Sequence, residues 1–116
     1  MARNLTHTVS QGTFDRYGRI NGDNDIIHYD DVYAKQRGFR GTLAHGLMVM
    51  GYMAELAAKQ HGDAWYRGGR LKVKWVAPVC PGDTVVAVLG DDGTLHASVG
   101  DNETVLVGEA SVASSR

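Results

Sequence analysis

Residues 43–60, LAHGLMVMGYMAELAAKQ, constrain the fold more than any other part of the chain. Leu47, Met50, Ala54 and Ala57 recur at helical spacing, and Val49, Met53 and Leu56 form a second stripe beside them. Apolar side chains at such intervals mark one face of a helix, and two neighbouring stripes widen that face into a broad arc. Between residues 46 and 59 the polar positions are Tyr52, Glu55 and Lys59. Glu55 and Lys59 stand four apart in the order that favours an ion pair. Gly62 is the expected C-terminal stop, with His61 at the negative pole of the dipole. A helix this apolar must be covered on most of its sides, and a sheet curled around it supplies that cover.

The rest of the chain contains that sheet. NLTHTVS reads as a first strand, with Ser10 able to cap the turn that follows. In GTFDRYGRI, Phe14, Tyr17 and Ile20 fit a short helix that Gly18 weakens. YDDVYAKQRG fits one or two helical turns from Asp30, ended by Gly38. After the long helix, RLKVKWVAPV alternates, with Leu71, Val73 and Trp75 on one face and Lys72 and Lys74 on the other. TVVAVL, TLHASV and TVLVGEASV follow, separated by GDDG and GDN, which are hairpin punctuation. Strands joined by such short turns pair antiparallel. The expected architecture is α+β: one long, nearly buried helix followed by an antiparallel meander.

The totals narrow the function. The 116 residues suit one domain, taken as 1–116, with one hydrophobic core. Twelve basic against thirteen acidic residues give a net charge of -1, so neither nucleic acid nor an anionic membrane is an expected partner. MARNLTHTVS holds no apolar core of the kind a signal peptide needs, and no stretch approaches the ~20 apolar residues of a spanning helix. A single cysteine, Cys80, excludes an internal disulfide framework, and a cytoplasmic chain is expected. Cys80 reads as packing. The run Arg67, Arg70, Lys72 and Lys74 reads as a solvated strand face. Met48, Met50 and Met53 read as core. No histidine or cysteine spacing fits a metal site. ASSR reads as a short polar tail.

The segment GDNDIIH, residues 22–28, sets a carboxylate, Asp23, five positions before an imidazole, His28. Such a pair can hold one water, take a proton from it and return a proton elsewhere. A backbone N–H at a helix N-terminus can stabilise a developing oxyanion. Gly46, at the start of the strong helix, suits this because it has no side chain to obstruct a ligand. Three blocks carry a resemblance. Tyr17, Gly22, Asp23, Ile27, His28 and Ala34 match the first, and Gly38, Phe39, Gly41, Ala44, His45 and Gly46 the second. VAPVCPGDTV matches the third. Spanning roughly residues 14 to 89, these resemble the MaoC-like, or (R)-specific, enoyl-CoA hydratases of the hot-dog fold.

The resemblance implies a hot-dog domain whose sheet wraps the helix at about 43–60. The reaction it implies is the reversible syn hydration of (2E)-enoyl thioesters to (3R)-hydroxyacyl thioesters. Asp23 and His28 would activate the water, and the Gly46 N–H would be the oxyanion donor. Neither a metal nor a separate cofactor is implied; CoA or an acyl-carrier phosphopantetheine enters with the substrate. Ala54 and Ala57 fall where the family shapes its acyl pocket, and a homodimer is expected. His45 is expected to be structural, hydrogen-bonded to backbone. Two residues depart from the family pattern: Asp25-Ile26 stands in place of Asn-Pro. Loss of the proline should loosen the loop, and a second carboxylate should disfavour ionisation of Asp23. The alternatives are a hot-dog thioesterase and an inactive partner or acyl-binding subunit.

Overall fold

The structure is a computed structural model that describes residues 3–113. Ser114 to Arg116, most of the polar tail, therefore lie outside the described residues. Five strands form one antiparallel sheet in the order β1-β3-β4-β5-β2. They are β1 (Arg3–Thr8), β2 (Gly69–Trp75), β3 (Thr84–Leu89), β4 (Thr94–Val99) and β5 (Glu103–Val112). The helices are α1 (Gln11–Asn21), α2 (Asp31–Gln36), α3 (Gly46–His61) and α4 (Asp63–Gly68), with a 3-10 turn at Ile26–His28. The sheet curves around α3 in a hot-dog arrangement. Among the described residues no helix is long and apolar enough to cross a membrane.

The expected elements are present, with three differences. The strands after α3 are not one continuous meander. β3, β4 and β5 follow each other by hairpins, but β2 pairs with β5 and β1 with β3, so β2 and β1 are the two edges. The segment between β2 and β3 must therefore cross from one side of the sheet to the other. The second difference is that α4 fills a stretch in which the sequence shows no helical period. The third is the start of the long helix, at Gly46 rather than residue 43. Leu43 and Ala44 precede the helix, with their N–H groups bonded to the Ile27 and Val79 carbonyls.

The core is built from Phe14 of α1, Val49, Met53, Leu56 and Ala57 of α3, and inward residues of β3, β4 and β5 such as Val85, Ala97 and Leu106. The buried face of α3 is thus the Val49–Met53–Leu56 stripe with Met48 and Ala57 beside it. This corrects the order of the two stripes. Leu47 is 54% exposed, and Met50 and Ala54 are half-buried. One curved sheet covers one side of the helix and leaves the other apolar stripe only partly covered. The Glu55–Lys59 pair forms, at 3.1 Å.

Ser10 caps α1 as expected, in a reciprocal pair of bonds with Thr13. The third sequence block closes the fold near α3. Asp83, after the turn at Gly82, binds Arg40 at 2.9 Å and accepts from the Cys80 N–H at 2.9 Å. This ties the loop before α3 to the β2–β3 connection. Burial works to raise the Asp83 carboxyl, but the Arg40 bond and the Cys80 N–H outweigh it and hold it below its ordinary value. A depressed acid contributes stability above its unfolded pKa, which is lost as pH falls through the folded one. Asp83→Asn is therefore expected to lower unfolding free energy by about 1–3 kcal/mol at pH 7. In urea titrations the gap should narrow once pH falls below about 4; a gap independent of pH would contradict this.

Candidate active site

The loop from α1 to α2 is held by a run of side-chain-to-backbone bonds. Asn21 Oδ1 accepts from the Asp23 N–H at 2.9 Å, Asp23 Oδ1 from the Asp25 N–H at 3.1 Å, and Asp25 Oδ1 from the Ile27 N–H at 3.1 Å. Each polar side chain thus fixes the backbone two residues ahead, as Asx turns do. This overturns the expectation that Asp25 disfavours ionisation of Asp23, and it gives the loop a restraint of its own. The loop is pinned without a proline, because the Asp25 side chain caps the 3-10 turn. Asp23 is more readily ionised, not less. The Asp25 N–H is the largest cause, and the His28 and His45 rings help, against a partial opposing effect of burial.

Asp23 uses one oxygen for the loop, and the other, Oδ2, lies 3.2 Å from His28 Nε2. His28 Nδ1 lies 2.8 Å from the Leu43 carbonyl. A carbonyl only accepts, so Nδ1 carries a proton, and Nε2 is the nitrogen that faces the carboxylate. Nε2 donates to Oδ2 when both ring nitrogens carry protons; in the neutral ring both atoms accept, and a water can donate one hydrogen to each. Gln11 Nε2–H donates to the His28 carbonyl at 2.8 Å, and Thr42 donates to Gln11 Oε1 at 2.6 Å. The sequence offers no local signal for either residue, since each acts across a long chain separation.

Tyr29 joins this group from the far side. Its hydroxyl donates to the Asp23 carbonyl and lies 3.1 Å from His45 Nε2. Burial, and then the charges of Asp23 and Asp15, push the phenol up, so it remains a donor. With its one proton committed to Asp23, the phenol oxygen accepts from His45 Nε2–H. His45 is buried and stacks on His28, with centroids 3.9 Å apart and planes 20° from parallel. Burial first, and then His28, lower its affinity for a proton, with Asp23 in partial opposition. The expectation that His45 bonds to backbone through its side chain does not hold; its partner is Tyr29.

Gly46 is the first residue of α3, and its neighbour His45 is the N-cap. The first bonds that close the helix run from the Met48 and Val49 N–H groups to the His45 carbonyl. Gly46 and Leu47 N–H are the unpaired donors of the first turn. A cleft of about 230 Å³ opens here, lined by Asn21, Asp23, His45, Gly46, Leu47 and Trp75. The structure thus brings Asp23, His28 and Gly46 to one place. Trp75 roofs the glycine. Its indole N–H donates to the Gly46 carbonyl at 2.9 Å, and a Cβ on Gly46 would lie 3.1 Å from that nitrogen. Alternation alone could not show that Trp75, on the inward face of β2, emerges at the cleft. Ala57 is in the core and Ala54 is half-buried, and neither lines this cleft.

Asp23, His28 and His45 each bring a potential ligand atom within 4.8 Å of the others. The chemistry of a metal does not fit them. An ion bound by imidazole lies in the ring plane, and two nearly parallel rings stacked face to face cannot direct lone pairs at one ion. The arrangement suits proton transfer beside a helix end whose dipole favours negative charge.

An α+β hot-dog domain with a carboxylate–imidazole pair at a helix N-terminus defines a class of acid–base site. The chain matches the MaoC like domain model over residues 2–112 and belongs to that family. It is 32% identical to Peroxisomal multifunctional enzyme type 2 of Drosophila melanogaster over 78% of this chain and 15% of that protein. It is also 32% identical to the (R)-specific enoyl-CoA hydratase of Rhodospirillum rubrum, over 73% of this chain and 59% of that one. The chain thus spans a minor part of the first relative and about three-fifths of the second. Its fold is similar to that of the (R)-hydratase from A. caviae involved in PHA biosynthesis. The TM-score is 0.78 and the identity 18%, with 95% of this chain and 91% of that one covered.

Gly18 gives the site a test. Helix propensity alone expects Gly18→Ala to stabilise α1 by about 1 kcal/mol. A Cβ there would overlap the Tyr29 hydroxyl. Gly18→Ala is therefore expected to destabilise the protein, and to become stabilising in a Tyr29→Ala background. Thermal unfolding of the four-member cycle measures the change of sign; the same sign in both backgrounds would contradict the contact.

Proposed function

We propose that the chain catalyses the reversible hydration of (2E)-enoyl thioesters to (3R)-hydroxyacyl thioesters. The observation that carries this reading is the 3.2 Å approach of Asp23 Oδ2 to His28 Nε2, beside the unpaired amides that begin α3. A water held by both atoms has its lone pair aimed at C3 of a bound enoyl group. As the C3–O bond forms, the pair takes the water's proton and charge moves to the thioester oxygen. The Gly46 N–H stabilises that oxygen, aided by the positive pole of α3. The proton then passes to C2 on the same face. Dehydration is the reverse. No step calls for a metal or separate cofactor; CoA or a carrier phosphopantetheine belongs to the substrate.

A homodimer is part of the reading. The half-covered stripe of Leu47, Met50 and Ala54, with Trp75 48% and Val76 46% exposed, leaves an apolar surface beside the cleft. Two uncovered sheet edges favour pairing as well. Ala54 would then shape an acyl channel only together with a second copy. A cytoplasmic location rests on the lack of any disulfide requirement, with the one cysteine buried and free.

Loss of enoyl-thioester absorbance with (2E)-enoyl-CoA substrates tests the reaction. Asp23→Asn and His28→Ala are each expected to lower kcat by about 100-fold or more. Asp25→Asn keeps an oxygen for the Ile27 N–H and is expected to stay within about threefold. Release of free thiol in place of hydration would instead make the protein a thioesterase. An Asp25→Asn loss larger than that of Asp23→Asn would overturn the assignment of the base.

A further inference from the structure

His45 combines three features that do not suit a residue chosen only for packing. It is the N-cap of a sixteen-residue helix, yet its side chain makes no capping bond. It is 2% exposed, yet its Nδ1 has no hydrogen-bond partner among the described residues. Its ring lies flat against the ring of His28, at 3.9 Å. An uncapped helix start and a buried unpaired lone pair both oppose stability. Ser, Thr, Asp or Asn at this position would relieve both.

These residues would also occupy the helix end. A capping oxygen bonds to the second or third N–H of the helix, here Leu47 or Met48, and places its own partial charge at the pole. An incoming thioester oxygen would then meet another acceptor. His45 cannot do this, because its ring is held toward His28 and its one N–H is given to Tyr29. The same ring covers one face of His28, whose Nδ1–H is fixed on Leu43, so the imidazole that faces Asp23 is held against rotation from two directions.

We propose that His45 is a positioning residue for the acid–base pair, backing the His28 ring while leaving the first turn of α3 uncapped for the oxygen of the substrate. This rests on the hydration reading above and adds to it a residue that does not touch the reacting atoms.

Three substitutions separate its parts. His45→Phe keeps a flat ring and adds no cap. His45→Asn supplies a cap and removes the ring. His45→Ala does neither. With (2E)-crotonyl-CoA as the probe, kcat/KM is expected to fall in the order wild type, Phe, Ala, Asn. The Phe variant should stay within about tenfold of wild type and the Asn variant lose about 100-fold or more. The Asn variant should nevertheless unfold at a higher temperature than the Ala variant, because it gains a cap. Asn equal to or better than Ala in kcat/KM would overturn the proposal, as would activity that follows unfolding temperature across the series. Should Phe prove too large to fold, the Asn and Ala variants still decide the role of the open cap.

Imidazole nitrogen NMR gives a readout that does not depend on turnover. The Nδ1–H form of His28 is expected to persist in the Phe variant and to give way to a mixture of tautomers in the Ala and Asn variants. A His28 signature unchanged in all three would overturn the positioning role. Should wild type hydrate no enoyl-CoA while this signature behaves as expected, the hydration reading fails and the contact between the two histidines stands.

Discussion

The hydrogen bond from His28 Nδ1 to the Leu43 carbonyl, at 2.8 Å, organises the site. It sets a proton on His28 Nδ1, and so turns Nε2 toward Asp23. It also keeps Leu43 out of the helix, since a carbonyl turned toward the imidazole is not aligned with a helix axis. The long helix then begins at Gly46, and its first-turn amides open where the acid–base pair already stands. One bond between a short loop and a helix approach therefore brings together the two parts of the candidate site.

Charge around this bond is divided rather than shared evenly. The loop N–H of Asp25 keeps Asp23 ionised, and Tyr29 remains a protonated donor. His45 is kept neutral by burial and by the ring it stacks on. The stack therefore holds one buried ring that is disfavoured from charging, with His28 lying between it and the Asp23 carboxylate. Polar side chains from separate elements thus meet at one cluster around Asp23. The helix end adjoining it favours negative charge on a bound group.

Much of this is legible in the sequence, for physical reasons. The apolar repeat after Gly46 and the strict alternation in RLKVKW follow from helix and strand periods, so α3 and β2 are readable. Asp23, His28 and Gly46 are singled out by the resemblance of the GDNDIIH and AHG blocks to the family, since their spacing alone is a weak signal. The partners that act across the fold are not. Gln11, Thr42, Tyr29 and Trp75 reach the site through tertiary contacts that no local spacing records. The Gly18 that weakens a helix on paper proves to be where Tyr29 passes α1. Asp25 misleads a reading by charge, because its side chain suggests repulsion. Its backbone N–H and its capping role decide the outcome, and both depend on the fold of the loop. The buried stripe of α3 is not the one that leads on paper, since periodicity identifies two candidate faces and only the sheet selects one.

In the proposed reaction, water at the Asp23–His28 pair and the amide at Gly46 act on one enoyl thioester. A crystal structure of the Asp23→Asn variant with (2E)-crotonyl-CoA would show whether they do. The thioester oxygen is expected about 3 Å from the Gly46 nitrogen. C3, rather than the carbonyl carbon, is expected to face the gap between the substituted side chain and His28. A thioester bound away from the start of α3, or one whose carbonyl carbon faces His28, would contradict the claim.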